Sequence, residues 1–526
     1  LDATYLGKSL FFGKQHPQSL PRYYLAALIA LTLAPFLAVK LPGLGDTLNH
    51  LARMHILATI DRSLDLQRFY VVHWSPVPYL AMDAVVPVLA RVMPLDWATK
   101  IFVSACVLMP FLGASALHYT VHRRFGLMPA AALLFGANTL LQLGFLNYLF
   151  MAGLACMAVA LWIASTAWPR LPRTGLFMVL ATLLYLGHAF AFLGYCCAVA
   201  GIEIAAAARV RFTPLRTIAT NWLLAAAPAV PALCLAATLD TAPGTSGQLY
   251  AHYGDIGEKV LALLSPLLFT VGPVQSRVAG ACLIIACILV PRLRLCPTLW
   301  PAALATGLAA AAMPEIVFST WLMDFRLPLF TTILLTGGAT LRLAPVARNA
   351  LAAILAVALL IKSADVWRTL RATDAQIGEM RHLLTGLPRG ARLLVANESG
   401  PPTGPGLTGS TIWTMPLLAV IDRDAFVPTL FTGLTTVHTR PGFAAVSTPQ
   451  GSPTTLSRLS SDLAGAAPAL TPVEQREGLK IYWHDWPENF DYLLVEHFYA
   501  AAPAMLPDHL RPAAHTQNLD LYKIAQ

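Results

Sequence analysis

The chain of 526 residues is 56% hydrophobic and only 12% charged, with a mean hydropathy of +0.61. A soluble domain carries about 25% charged residues, so this composition excludes a soluble enzyme and predicts an α-helical polytopic membrane protein. The net charge of +9 is spread over short loops and forms no basic stripe interleaved with aromatics, so nucleic acid is not an expected partner.

In chain order, apolar runs predict about eleven spans, at roughly 22–40, 98–119, 127–145, 147–168, 175–188, 190–208, 218–238, 276–291, 298–314, 327–343 and 349–365. The first follows a basic leader without an Ala-x-Ala-like cleavage site and reads as a retained helix. Basic residues then recur in alternate loops: Lys8, Lys14 and Arg22; Arg123 and Arg124; Arg170 and Arg173; Arg209, Arg211 and Arg216; Arg292 and Arg294; Arg342 and Arg348. Alternating spans put every cluster on one side, and the positive-inside rule makes that side cytoplasmic, with the N-terminus in and the C-terminus out. The parity requires a break near Gly187-His188, read as a bent helix pair reaching only part-way across. The eight cysteines lie in or beside apolar runs, with no CxxC pair and no metal-ligand spacing.

On the outer side, the first loop, 41–97, carries two amphipathic runs, Asp46–Asp61 and Tyr79–Val92, expected to lie in the membrane interface. Later outer loops are 239–275, with Tyr250, His252 and Asp255, and 315–326, with Asp324 and Arg326. A transmembrane domain 1–367 is thus expected to lead into an outer α/β domain over 368–526. That domain has a helical stretch at Asp374–Leu384 and strands at Arg392–Ala396, Tyr492–Val495 and Leu519–Ile524.

Four short segments carry the chemistry of this layout. They are Gly45-Asp46-Thr47-Leu48-Asn49-His50-Leu51-Ala52-Arg53, Trp74-Ser75-Pro76-Val77-Pro78-Tyr79, Gly144-Phe145-Leu146-Asn147-Tyr148 and Asp324-Phe325-Arg326-Leu327-Pro328. With the order of loops and spans, they resemble the GT-C class of integral-membrane glycosyltransferases, which includes bacterial protein mannosyltransferases and aminoarabinose transferases. The resemblance implies a bacterial inner-membrane enzyme with a periplasmic C-terminal domain. It would take a sugar from a polyprenyl-phosphate donor and pass it to a lipid, glycan or protein acceptor. Many members of the class carry a second acid beside the first; here the pair is Asp46-Thr47, which counts against a metal-dependent reaction. No cofactor is expected, and a divalent metal stays open.

Asp46 is the expected general base: a carboxylate near water and beside an apolar surface has a raised proton affinity. The competing role is an N-cap for the following helix. His50 and Arg53 share its helical face; His50 would bond substrate or merely fill the polar face, and Arg53 would meet phosphate or a lipid headgroup. His55 is out of phase and structural. Arg326 would grip the donor phosphate bidentately, unless it is paired with Asp324. His188, at membrane depth, is a pocket residue or a carbonyl-bonded histidine. Asn147 and Tyr148 would line the same cavity. His484, Asp485 and Trp486 offer a sugar contact in the C-terminal domain, against a plain surface turn. No P-loop, GxGxxG, GxSxG or HExxH signature is present. The rival readings are a transporter or flippase using Asp46 and His188 as proton relays, and an inactive GT-C scaffold.

Overall fold

The structure is a computed structural model and describes residues 20–209, 214–238, 251–317, 320–397, 410–433, 435–448, 453–471, 480–497 and 509–525. The chain is predominantly helical, and among the described residues six helices are long and apolar enough to cross a membrane. In chain order the helices used below are α1 (Arg22–Leu37), α2 (Thr47–Thr59), α3 (Ala81–Leu89), α4 (Leu95–His122), α5 (Leu146–Ala164), α6 (Arg170–Gly187) and α7 (Ala189–Ala208). They continue with α8 (Arg216–Ala237), α9 (Pro273–Leu289), α10 (Trp300–Ala312), α11 (Arg326–Gly338) and α12 (Pro345–Leu383).

A central bundle is formed by α4, α5, α7, α10 and α11, with α1 laid along α12. Small residues set the closest approaches: a Cβ on Gly153 of α5 would stand 2.5 Å from Met109 Cβ of α4. That is how apolar helices gain packing energy where no hydrophobic drive separates them from lipid. Helices α8 and α9 lie at the margin, with most of their apolar surface uncovered.

Three expectations are corrected. The stretch 127–145 is not one helix but a chain of short pieces, Leu127–Ala131, Ala132–Phe135 and Thr139–Gln142, interrupted where Asn138 accepts the Leu141 amide and starts a new turn. The pair around Gly187-His188 is not short: α6 has 18 residues and α7 has 20, about 27 and 30 Å. The helix of the last span, expected at 349–365, does not end with its apolar run. Helix α12 is continuous for 39 residues and absorbs the stretch expected as a separate helix at Asp374–Leu384.

Beyond the bundle lies a five-stranded sheet of β1 (Leu393–Asn397), β2 (Thr454–Thr455), β3 (Tyr492–Glu496), β4 (Leu510–His515) and β5 (Leu519–Ile524), in the order β4-β5-β3-β1-β2. Strand β1 is parallel to both neighbours, while β5 is antiparallel to β3 and β4. The sheet core also takes in Leu48, Leu51, Ala52 and Ile56 of α2, while Met54 packs into the bundle core. Helix α2 is therefore wedged between two protein cores, where an apolar face on the lipid interface was expected. A short ribbon, Tyr70–Val72 against Val437–Thr439, ties the first loop to the C-terminal part.

Candidate active site

Asp46 is positioned by backbone docking. The Gly45 N–H donates to the Gln142 carbonyl (2.7 Å) and the Asp46 N–H to the Leu143 carbonyl (2.9 Å). Gly144 has φ +87°, and a Cβ there would fall 2.6 Å from the Asp46 nitrogen. Only glycine allows both that conformation and that approach. Two segments distant in sequence, Gly45-Asp46 and Gly144-Phe145, thus meet main chain to main chain. Asp46 precedes the first turn of α2, yet its side chain makes no capping hydrogen bond. The carboxyl is half-buried; loss of solvent pushes its pKa up to about 7, against the opposing pull of the Arg326 charge.

Arg326 opens α11 and is 6% exposed. Its Nη1 donates to the carbonyls of Trp321 (3.1 Å) and Leu322 (3.0 Å), and its guanidinium carbon lies 4.9 Å from the Phe145 ring centre and 4.7 Å from that of Phe190. Leu322 takes φ +55°, a conformation a bulky side chain rarely adopts, and its carbonyl serves this contact. The Arg326 Nε is buried and has no hydrogen-bond partner. Asp324 does not pair with it: that carboxylate is taken by Lys259 Nζ at 2.8 Å.

His188 caps α7, its Nδ1 accepting the Phe190 N–H at 3.1 Å. In the neutral ring the proton therefore sits on Nε2. The ring stands edge-on to Tyr79 at 5.3 Å and to Tyr148 at 5.2 Å. The Tyr148 hydroxyl donates to the Arg326 carbonyl. Asp46, His188 and Tyr148, three residues expected to act, thus lie with Tyr79 within electrostatic reach of the fourth, Arg326.

The remaining expected contacts are occupied by structure. Arg53, 1% exposed, donates from Nη2 to Asp83 Oδ2 (2.5 Å), which also accepts the Thr436 hydroxyl (2.6 Å). A substrate phosphate would have to displace that carboxylate. His50 lies between the Arg53 guanidinium, at 3.4 Å from its Nδ1, and the Phe431 ring. Burial first, then the Arg53 charge, push its pKa down to about 3, so it stays neutral. Asn147 Oδ1 accepts the Met82 N–H at 2.6 Å and holds the start of α3. His55 bonds Asp424 at 2.8 Å, the structural role expected of it. Asp255 forms a capping box with Glu258, and Tyr250 lies outside the described residues.

Asp462, His484 and Asp485 form a cluster of metal-ligand type, but the His484 ring and the Asp485 amide already use both Asp462 oxygens, at 2.7 and 3.0 Å. Trp486 is wholly buried, its indole N–H on the Leu459 carbonyl, so it offers no exposed sugar platform. Asp83, the partner of Arg53, escaped the sequence reading; its signal was a lone acid in the apolar run Ala81–Leu89. Glu496 escaped it as well. It ends β3 beside Asn397, is 2% exposed, and neither carboxylate oxygen has a partner; burial pushes its pKa up to about 8.

Comparison with known proteins gives no match: no family model, no curated protein and no solved structure is similar to this chain.

Proposed function

We propose that the chain is an inverting glycosyltransferase that takes a sugar from a polyprenyl-phosphate donor at the outer membrane–water boundary. The observation that carries this reading is the pairing of a half-buried carboxyl of pKa about 7 with a guanidinium whose Nε has no partner. An acid and a cation close enough to feel each other's charge suit displacement at an anomeric carbon. Asp46 removes the proton of the acceptor hydroxyl as its oxygen attacks. The bond from the anomeric carbon to the phosphate oxygen breaks, and its electron pair leaves on the polyprenyl phosphate, which Arg326 stabilises. The leaving group is already a weak base, so no acid is needed on that side. Tyr79, Tyr148 and His188, packed ring to ring beside Arg326, would position the sugar. His50 and Arg53 act through position, fixing α2 beneath Asp46.

The same reading counts α1, the broken 127–142 segment, α6, α10 and α11 as crossings in addition to the six long helices, giving eleven. The loops bearing Arg123 and Arg124, Arg292 and Arg294, and Arg342 and Arg348 meet at the end of the bundle opposite Asp46, through contacts such as the Arg342 N–H on the Arg292 carbonyl. That gathering supports a cytoplasmic face there and an outer, periplasmic position for Asp46 and the C-terminal sheet.

The test is transfer by purified protein from a panel of radiolabelled polyprenyl-phosphate sugars to membrane extract, comparing wild type with Asp46→Asn and Arg326→Gln. Both variants should lose transfer by about a hundredfold or more. Full transfer by Asp46→Asn would remove the proposed base. Absence of transfer with every donor, together with substrate-driven proton flux in liposomes, would favour a transporter.

A further inference from the structure

At the far end of α4, some 40 Å from its start, two histidines lie with ring centres 4.5 Å apart and planes tilted by 52°. His118 Nδ1 lies 3.1 Å from the Gly337 carbonyl and His122 Nε2 3.1 Å from that of Gly338. A carbonyl only accepts, so those two nitrogens carry the protons and His118 Nε2 presents a bare lone pair. His118 is 1% exposed, and its Nε2 is buried without a partner. Glycine keeps the space before it open: a Cβ at Gly126 would come within 3.2 Å of this nitrogen.

His118 lines a small recess of about 30 Å3, open on one side and lined also by Arg124, Thr340 and Arg348. Both arginines are half-buried, and neither has an acidic partner among the described residues. Leu127, Met128 and Leu341 supply apolar wall. The recess therefore combines two uncompensated positive charges, one hydrogen-bond acceptor that lacks a donor, and an apolar side. Buried polar groups without partners cost stability unless something meets them.

We infer that this recess is a binding site for a phosphate group that carries a hydroxyl hydrogen within reach, supplied by the headgroup of an anionic phospholipid such as phosphatidylglycerol. The phosphate oxygens sit between Arg124 and Arg348, a headgroup hydroxyl donates to His118 Nε2, and the glycerol backbone and chains run along the apolar wall. Dihydrogen phosphate has a hydroxyl donor and the same single charge but no use for that wall, so the lipid is the better-matched source. The site is separate from Asp46 and Arg326 and does not depend on the reaction proposed for them.

The experiment uses full-length protein, delipidated in detergent, and titrates dihexanoyl-phosphatidylglycerol, dihexanoyl-phosphatidylcholine and inorganic phosphate by microscale thermophoresis. Phosphatidylglycerol should bind at least tenfold more tightly than phosphatidylcholine. A basic residue at a membrane surface contributes roughly fivefold in affinity, so Arg124→Gln with Arg348→Gln should weaken binding by roughly 25-fold. Gly126→Ala leaves every charge in place and should also weaken it by crowding His118. Gly126 lies in extended backbone, φ −123° and ψ −176°, which alanine adopts freely, so this variant is expected to fold. Equal binding of the two lipids, or unchanged affinity in the double variant at an unchanged Tm, would overturn the site. Tighter binding of inorganic phosphate than of phosphatidylglycerol would overturn the lipid as its occupant.

Discussion

Replacing Glu496 by glutamine should stabilise the protein, increasingly so as the pH rises. In the folded chain this carboxyl titrates at about 8 in place of 4.5, because burial at the end of β3 strips its water and no donor replaces it. Below pH 4.5 the side chain is neutral in both folded and unfolded chains and contributes no pH dependence. Between 4.5 and 8 the unfolded chain has released the proton while the folded chain still holds it. Stability therefore falls by about 1.4 kcal/mol per pH unit across that window and levels off above it. The cumulative cost is roughly 3 kcal/mol at pH 7 and roughly 5 kcal/mol above pH 8. Glutamine is neutral throughout and escapes it. At about 2 °C per kcal/mol, thermal unfolding of the full chain in detergent should show a Tm gain of roughly 10 °C for Glu496→Gln at pH 8.5, shrinking toward zero at pH 5. A gain that is the same at both pH values, or a loss at pH 8.5, would refute the assignment of a desolvated carboxyl.

Asp83→Asn leaves the Arg53 charge buried without its counter-ion and should cost about 3–5 kcal/mol, read as a lowered Tm; Arg53→Met combined with Asp83→Leu should recover most of that loss. Gly144→Ala drives a methyl group into the Asp46 nitrogen and should abolish sugar transfer, whereas Gly175→Ala, which meets nothing within 4 Å on α6, should retain transfer and gain about 0.5–1 kcal/mol. If Asp46 is the base, its carboxylate form must act. The transfer rate should then fall about tenfold per pH unit below pH 7 and flatten above it, and a flat profile from pH 5.5 to 7 would count against that role.

Much of the helical layout was legible because it rests on local pattern. Apolar runs mark α4, α5 and α7, and a glycine followed by a capping histidine marks the break at Gly187-His188. The convergence of Asp46 with Arg326 was legible only as two separate candidates; their meeting depends on the docking of Gly45 against Gly144, which no periodicity encodes. The i,i+4 stripe misled in part. His50 and Arg53 do share a side of α2, but Arg53 turns to Asp83, thirty residues on, whose buried carboxylate compensates its charge. The reach of α12 was hidden by composition, since its first half is apolar and its second half charged, and the two halves read as different elements. The corrected stretch 127–145 had a usable signal: Asn138 two residues after Gly136 is a helix-start pattern inside an apolar run.

Helix α12 has one further consequence. Its 39 residues extend about 58 Å, nearly twice the hydrocarbon thickness of roughly 30 Å, and after Pro345 its sequence contains no proline to bend it. Asp374, three-quarters of the way along, accepts the amides of Lys40 and Leu41 (3.1 and 3.0 Å), and Glu379 accepts the Asn518 amide (2.8 Å). The rod thus clamps both the entry to the first loop and the sheet near one tip. A tilt of about 10° at the apolar end would sweep the last 28 Å or so sideways by about 5 Å. Bilayer thickness, by setting that tilt, would then act as a mechanical input that moves the sheet and the first loop together as one load on a lever.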